Sequence, residues 1–364
     1  MITCCIGTRA QLIKMAPVVL ELERRAMPVN VLLTGQHADT MQGIYADFGI
    51  RTIPKALYSG REITGILQMA RWFARCLWTF RRDPAYFLPT TAGAQNIILV
   101  HGDTFSTLLG SVIGKMRGVK VAHVEAGLRS FNLFHPFPEE LTRLAVFRLS
   151  DIGYCPGDWA LGNLRNCAME KVNTHYNTLA DALAIALNAK GHEPPVSLPG
   201  AYGVVSIHRF ENIFNRKRFS RIIELVELAA ETTPLIFVLH PATRQALQRF
   251  GLLDRLQSNP RIKLSPRMGY FAFVQLLKGA RFVVSDGGGN QEELSYLGIP
   301  TLLMRKATER QEGLQSTVTL CPYDRSILNR FLDDVTAGDA PRSVVGTISP
   351  SKLIADHLER QPPS

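Results

Sequence analysis

Polar side chains follow several of the predicted strands, at the point where each strand gives way to a turn. In the first half of the 364-residue chain they lie in the segments IGTR, VHGD and HVEAG, and in the second half in SIHR, VLHP and SDGGGNQEE. Acids, histidines and arginines in such turns are suited to proton transfer and to anion binding. Their occurrence in both halves favours a functional site over a set of unrelated helix caps.

One of these residues, Glu125, is difficult to explain as a purely structural residue. It stands between an apolar strand and an Ala-Gly pair, and a carboxylate buried there would be costly without a partner. Arg129 lies close in sequence and is the partner that the sequence offers. By contrast, His123 and His240 are interpreted as structural histidines.

Three glycines at 287–289 separate an apolar strand from a helix-like segment. Glycines let the backbone approach a ligand, and the helix that follows presents unpaired N–H groups to an anion. The run therefore predicts a pyrophosphate cradle, and an acidic residue one turn later suits ribose hydroxyls. A tight turn whose acidic residues favour the helix dipole explains the pattern equally well.

Apolar strand-like runs alternate with helix-like segments along the chain, and the pattern restarts in the second half. This alternation is typical of parallel sheets covered by helices on both faces. We expect an α/β protein of two Rossmann-like doubly wound domains that face a central cleft. The expected domains are 1–175 and 176–345, and the last segment, 346–364, is expected to pack back on the first domain.

The composition excludes several classes of protein. Hydrophobic residues make up 46% of the chain and charged residues 20%, which is typical of globular proteins. The net charge of +10 suits an anionic ligand. Because the basic residues form no long run and no nucleic-acid motif, we expect no nucleic-acid partner. The six cysteines lack the spacing of a zinc site and are expected to be buried thiols, with no metal.

The chain also shows no membrane-spanning pattern. No apolar stretch reaches the roughly 20 residues that cross a bilayer, and an arginine at position 9 interrupts the start too early for a signal peptide. The arginine-bearing segment 66–82 is interpreted as a core helix with a basic edge rather than a helix on a membrane surface. We therefore expect a cytoplasmic protein without membrane insertion.

Ten motifs in order resemble the non-hydrolysing UDP-N-acetylglucosamine 2-epimerase family. They are GTRAQLIKMAPV, TGQH, VHGDT, HVEAGLRS, PFPEELTR, HRFEN, HPATR, DGGGNQEE, LGIPTLLMR and TERQEG. The resemblance implies a GT-B-like, homodimeric isomerase that interconverts UDP-N-acetylglucosamine and UDP-N-acetylmannosamine. It also implies no redox cofactor and a place in surface polysaccharide biosynthesis.

The family reaction implies elimination of UDP to a 2-acetamidoglucal, followed by re-addition of UDP after protonation on the other face. This route needs acid and base groups on both faces of the sugar and stabilisation of the departing UDP. The resemblance implies four catalytic residues, Asp103, Glu125, Glu139 and His208. Which carboxylate serves which epimer stays open.

The resemblance also assigns residues to substrate binding. Arg9 and Lys14 lie at the first turn, and Arg143, four residues after Glu139, would share a helix face with it. The pyrophosphate would be held by the turn of Gly287, Gly288 and Gly289. The ribose would be bound by Glu293 and the uracil by Phe273, and Arg310 would lie close to the same nucleotide. Gln36 and His37 match a motif that binds a second UDP-N-acetylglucosamine as an activator, although Asp39 would repel its diphosphate, so activation is expected to be weak or altered.

Two departures from the family pattern concern the turns. Gly287 replaces the serine of DSGGxQEE, which removes a hydroxyl. This is expected to weaken UDP binding by roughly 1.5–3 kcal/mol unless water or another donor substitutes, and binding is expected to survive. Gln11 stands where many members have glutamate. Neither position is a catalytic match.

Other functions remain open on the sequence. A hydrolysing epimerase would release N-acetylmannosamine and UDP, but its first turn usually carries a tyrosine-containing GSRAEYG pattern. A close relative could act on a modified UDP-2-acetamido sugar. A GT-B glycosyltransferase and a catalytically inactive binding protein share the architecture, since the fold alone does not define function.

Overall fold

The computed structural model describes residues 1–35, 38–58, 60, 65–133, 137–308, 310–314, 316–338 and 343–362. The chain forms two compact units, one comprising Met1–Ala182 with Gly346–Ser364 and the other Leu183–Val345. The boundary lies after Ala182, within a helix, rather than at the expected position after His175.

The N-terminal unit is built on a seven-stranded parallel sheet. Its strands are β1 (Ile2–Ile6), β2 (Val29–Leu33), β3 (Lys55–Ala56), β4 (Ile97–His101), β5 (Lys120–Val124), β6 (Ile152–Cys155) and β7 (Glu170–Asn173), in the spatial order β3-β2-β1-β4-β5-β6-β7. The strand order reverses between β1 and β4, so the turns after these two strands adjoin at the carboxyl edge of the sheet, where ligands of such sheets bind.

Helices connect these strands and cover the sheet. They are α1 (Arg9–Arg24), α2 (Ala38–Phe48), α3 (Ile66–Arg82), α4 (Pro84–Phe87), α5 (Phe105–Arg117), α6 (Glu139–Leu149) and α7 (Asp158–Asn163). The next helix, α8 (Leu179–Asn188), begins in this unit and ends in the second. All five residues of β1 and of β4 are buried, as expected for strands covered on both faces. Helix α3 buries Trp72, Cys76 and Phe80 and exposes its arginines, so it is a core helix with a basic edge, as predicted.

The second unit repeats the architecture with six parallel strands. They are β8 (Tyr202–Ser206), β9 (Leu235–Leu239), β10 (Ile262–Pro266), β11 (Ala280–Ser285), β12 (Thr301–Leu303) and β13 (Val318–Leu320), in the order β10-β9-β8-β11-β12-β13. The helices are α9 (Phe210–Ile213), α10 (Arg216–Thr232), α11 (Pro241–Arg249), α12 (Leu253–Gln257), α13 (Tyr270–Lys278), α14 (Gly288–Leu297) and α15 (Arg325–Ala337). The predicted α/β class with two parallel sheets is confirmed.

The last helix, α16 (Pro350–Arg360), belongs to the first unit and packs against α1. The backbone N–H of Ser351 donates to the Asp181 carboxylate at 2.7 Å, and Arg25 pairs with Asp356 at 2.6 Å. These contacts fix the C-terminal segment to the unit in which the chain begins.

Two predicted absences concern the part of the chain that the structure describes. Within the described ranges, no helix is long and apolar enough to cross a membrane. Among the same residues, no group of histidine, cysteine, aspartate and glutamate side chains could hold a metal ion. The six cysteines are free thiols, and five of them are buried. Burial raises the pKa of Cys5 to about 12.

Candidate active site

The turns after β1 and β4 are fastened to each other by Gln11. Thr8 caps α1 by accepting the N–H of Gln11, while the Gln11 amide oxygen accepts the N–H of Gly7 and of Thr8. The amide N–H of Gln11 donates to the carbonyl of His101 at 2.6 Å and to the hydroxyls of Thr104 and Thr107 at 3.0 Å. A glutamate could not donate these bonds, so the departure from the family pattern has a structural role here.

Glu125 lies directly after β5 with its backbone in the left-handed region, at φ +66°. Its carboxylate is largely buried and lies 3.0 and 3.1 Å from the Lys14 ammonium. His101 Nε2 lies 2.9 Å from Glu125 Oε2, without hydrogen-bond alignment. The partners of this buried acid are therefore Lys14 and His101. The expectation that Arg129 would be its partner is wrong, because Arg129 is bound elsewhere.

Asp103 follows β4 and is held by an arginine from α6. Arg143 Nη2 donates to Asp103 Oδ2 at 2.5 Å, and Arg143 Nη1 donates to Glu140 at 3.2 Å. Glu139, the first residue of α6, has one buried carboxylate oxygen without a hydrogen-bond partner among the described residues. The salt-bridge partner of Arg143 on its own helix is thus Glu140 rather than Glu139.

Glu140 is a charged residue that sequence reasoning missed. Its side chain is fully buried, pairs with Arg129, and accepts hydrogen bonds from the backbone N–H and the hydroxyl of Ser130. Burial alone would raise the pKa of Glu140, but the hydrogen bonds from Ser130 and Arg129 hold it below its usual value. The sequence PFPEELTR does not indicate which of its two adjacent glutamates is buried.

His123 supports the turn that carries Asp103. Its Nε2 lies 2.7 Å from the carbonyl of Gly102, to which it donates, and its ring packs against Phe147. Burial lowers the pKa of His123 to about 4. The ring is therefore neutral at pH 7, and its packing is consistent with the predicted structural role.

In the second unit, Asp286 organises the turn that contains His208. Its buried carboxylate accepts the backbone N–H groups of His208 and Arg209 at 2.9 and 3.0 Å, and the side-chain amide of Asn212 at 2.9 Å. The ring of His208 stacks on that of His240, with centroids 4.5 Å apart. Burial lowers the pKa of His208, so the neutral imidazole is favoured.

The glycine run marks the start of α14. Gly287 is its N-cap, and a Cβ built there would lie 2.8 Å from Cε1 and 3.2 Å from Nε2 of His208. A serine side chain would therefore compete with the histidine ring for space. At Gly289 a Cβ would meet no atom within 4 Å, so packing does not explain the glycine there. Gly288 is the first residue of the helix.

The remaining predicted nucleotide residues occupy different environments. Glu292 is buried and pairs with Arg310 at 2.8 Å, whereas Glu293 is partly exposed. Phe273 is partly buried and packs against the apolar residues that surround β8 and β11. Sequence reasoning did not identify the Glu292–Arg310 pair. Arg9 is partly exposed at the start of α1, while Gln36 and His37 lie outside the described residues.

Two doubly wound parallel sheets, each with charged turns at the carboxyl ends of its central strands, define an α/β protein of the nucleotide-binding type. A family model described as UDP-N-acetylglucosamine 2-epimerase matches residues 20–344. The chain belongs to the UDP-N-acetylglucosamine 2-epimerase family. The predicted family and the predicted epimerase activity class are thereby confirmed.

Individual relatives are similar over most of their length. The UDP-N-acetylglucosamine 2-epimerase of Methanocaldococcus jannaschii is 31% identical over 329 residues, which cover 85% of both chains, and its structure has a TM-score of 0.82 over 99% of both. A UDP-2,3-diacetamido-2,3-dideoxy-D-glucuronate 2-epimerase of Pseudomonas aeruginosa is 33% identical over 312 residues, covering 84% of this chain and 83% of that one. The Neisseria meningitidis enzyme bound to UDP-N-acetylglucosamine is 26% identical, with a TM-score of 0.78 over 99% of this chain and all of the other.

Proposed function

We propose that the protein catalyses the reversible C2 epimerisation of UDP-N-acetylglucosamine to UDP-N-acetylmannosamine. The observation that carries this proposal is the pair of carboxylates after neighbouring strands of the first sheet, each held against a cation. Glu125 faces Lys14, and Asp103 faces Arg143. Two oriented acids with separate partners suit a reaction that removes and returns a proton.

The proposed reaction is a syn or anti elimination followed by its reversal with the other stereochemistry at C2. A carboxylate base takes the C2 proton, the C2–H electrons form the C1=C2 double bond, and UDP leaves C1 with the electrons of the C1–O bond. A proton then adds to C2 from the opposite face while UDP re-forms its bond to C1. The sum of these steps is an isomerisation that consumes no oxidant or reductant.

We assign the acid and base roles to Asp103, Glu125 and Glu139, and place His208 beside the departing diphosphate. A neutral imidazole can donate one hydrogen bond to an anion without the strong attraction that would hinder its return to C1. The N–H groups at the start of α14, around Gly288 and Gly289, are suited to the pyrophosphate.

The uridine would be bound by Phe273, Glu293 and Arg310, and the diphosphate side of the sugar would be neutralised by Arg9. By the same resemblance we propose a homodimer, for which sedimentation velocity of the purified protein gives a direct measurement. A monomer at micromolar concentration would contradict it.

A second candidate is epimerisation of a modified UDP-2-acetamido sugar. The Pseudomonas aeruginosa relative named for such a substrate is as similar in sequence as the relative named for UDP-N-acetylglucosamine. Overall similarity therefore does not distinguish the two sugars.

Proton NMR in D2O tests both candidates. Incubation of the protein with UDP-N-acetylglucosamine is expected to yield UDP-N-acetylmannosamine with deuterium at C2 and the nucleotide still attached. Free N-acetylmannosamine with UDP would identify a hydrolysing enzyme instead. Turnover of a 2,3-diacetamido uronate sugar nucleotide, with none of UDP-N-acetylglucosamine, would favour the second candidate.

A further inference from the structure

A continuous chain of charged side chains links the interior of the first unit to Asp103. Arg129 pairs with one oxygen of Glu140, and the other oxygen of Glu140 accepts from Arg143 Nη1 at 3.2 Å. The second terminal nitrogen of the same guanidinium donates to Asp103 Oδ2 at 2.5 Å. One arginine is thus shared between a buried carboxylate and a proposed catalytic carboxylate.

Within this series of ion pairs, the buried carboxylate of Glu140 is far more constrained than the carboxylate of Asp103. Glu140 is fully buried, whereas the Asp103 side chain is 29% exposed. Removing one partner of a buried ion pair leaves an uncompensated charge, so Arg129 and Glu140 hold each other strongly. Ser130 adds two further donors to Glu140.

The planar guanidinium transmits this constraint outward. Because the nitrogens of an arginine fork are fixed relative to each other, anchoring Nη1 on Glu140 also sets the direction of Nη2. Asp103 therefore meets a donor whose position is determined by a residue that it does not itself touch.

We propose that Glu140, held by Arg129, is a positioning residue for Asp103 and acts through Arg143. This inference rests on the proposed role of Asp103 in the reaction. Without Glu140, the guanidinium has lost its inner anchor and can turn both of its nitrogens to Asp103, which moves that carboxylate away from its place beside the sugar. The chemical step is then affected, while binding of the nucleotide by the second unit is not.

The test compares Glu140→Gln with a matched control, Glu21→Gln. Glu21 is also a largely buried glutamate bound by two arginines, Arg24 and Arg25, but it lies at the far end of α1. Glu140→Gln is expected to lower kcat by about 10- to 100-fold, because small misplacements of reacting groups have effects of that size. The UDP dissociation constant from calorimetry is expected to change by less than about threefold, because the residues proposed to bind the uridine and the pyrophosphate lie in the second unit.

The control separates positioning from stability. Glu21→Gln is expected to lower the melting temperature about as much as Glu140→Gln does, with kcat unchanged. A folded Glu140→Gln enzyme with the wild-type kcat would overturn the inference. So would a loss of kcat that Glu21→Gln reproduces, or one accompanied by an equal loss of UDP affinity.

A milder variant serves if Glu140→Gln does not fold. Arg129→Lys keeps the positive charge beside Glu140 but loses the fork, and kcat is expected to fall by about 3- to 10-fold, less than for removal of the carboxylate. An Arg129→Lys enzyme with full activity would count against the inference.

A measurement without substrate distinguishes failure of this inference from failure of the proposed function. If the wild-type protein turns over no sugar nucleotide, the proposed function fails. Side-chain 15N–1H signals of Arg143, identified by their loss in Arg143→Lys, still report its anchoring. Slow exchange in the wild type that is lost in Glu140→Gln would support the positioning contact, and identical signals in both would refute it.

Discussion

His123 is predicted to make the stability of the N-terminal unit depend on pH. Burial lowers its pKa from 6.5 to about 4 in the folded protein, whereas the unfolded chain restores the ordinary value. As the pH falls below 6.5, the unfolded state takes up a proton that the folded state refuses, so acid favours unfolding. The free energy of unfolding is expected to fall by about 2 kcal/mol between pH 7 and pH 5, and by about 3 kcal/mol in total below pH 4.

The perturbation is His123→Gln, which removes the titrating ring but offers an N–H donor to the Gly102 carbonyl. The variant is expected to be less stable than the wild type at pH 7, because it loses packing against Phe147. The difference in the free energy of unfolding between the two proteins is expected to be about 2 kcal/mol smaller at pH 5. Only the wild type is destabilised by acid at this position, because its ring stays neutral in the folded protein but takes up a proton in the unfolded chain.

Urea unfolding followed by tryptophan fluorescence reports on the stability of the N-terminal unit, to which His123 belongs. All three tryptophans, Trp72, Trp78 and Trp159, belong to the N-terminal unit. His175→Asn is the control, because His175 is exposed in the same unit and asparagine tolerates its left-handed backbone. That variant is expected to keep the wild-type pH dependence. If the difference in the free energy of unfolding between wild type and His123→Gln stays constant from pH 7 to pH 5, the reasoning is refuted. A difference that widens would show a pH dependence of the opposite sign.

Two further predictions concern the departures from the family pattern. Gln11→Glu is expected to lower the free energy of unfolding by about 1–3 kcal/mol, because the hydrogen bond from the Gln11 amide N–H to the buried His101 carbonyl is lost. Urea unfolding measures this change, and a variant as stable as the wild type would contradict the prediction. Gly287→Ser is expected to displace the His208 ring and lower kcat several-fold, with UDP affinity from calorimetry retained or improved. A kcat equal to that of the wild type would show that the ring moves without consequence.

The sequence was sufficient to predict the sheets and the positions of the polar turns. Apolar runs such as β1 and β4 carry their own signal, because strands buried on both faces are continuously hydrophobic. The turns then follow from where each run ends. This is why the sequence alone places Asp103, Glu125 and the glycines at 287–289 in turns that follow strands.

The partners of the charged residues could not be predicted from sequence. Arg129 is four residues from Glu125, but Lys14 and His101 reach it only because β1, β4 and β5 are neighbours in the sheet. Likewise, Glu139 and Glu140 both open α6, and only the packing of that helix decides which one is buried. Local spacing cannot supply this information, because it depends on contacts between distant segments.

The replacement at Gly287 shows how such contacts change the meaning of a motif. Considered as a lost hydroxyl, the glycine predicts weaker phosphate binding. In the structure, the space above Gly287 is occupied by the ring of His208, which Asp286 anchors through its backbone N–H and which stacks on His240. The glycine therefore permits a particular position of the histidine, and in the proposed function the ring nitrogen nearest to it donates to the phosphate in place of the serine. The absence of a side chain at position 287 and the placement of the imidazole are therefore coupled at this turn.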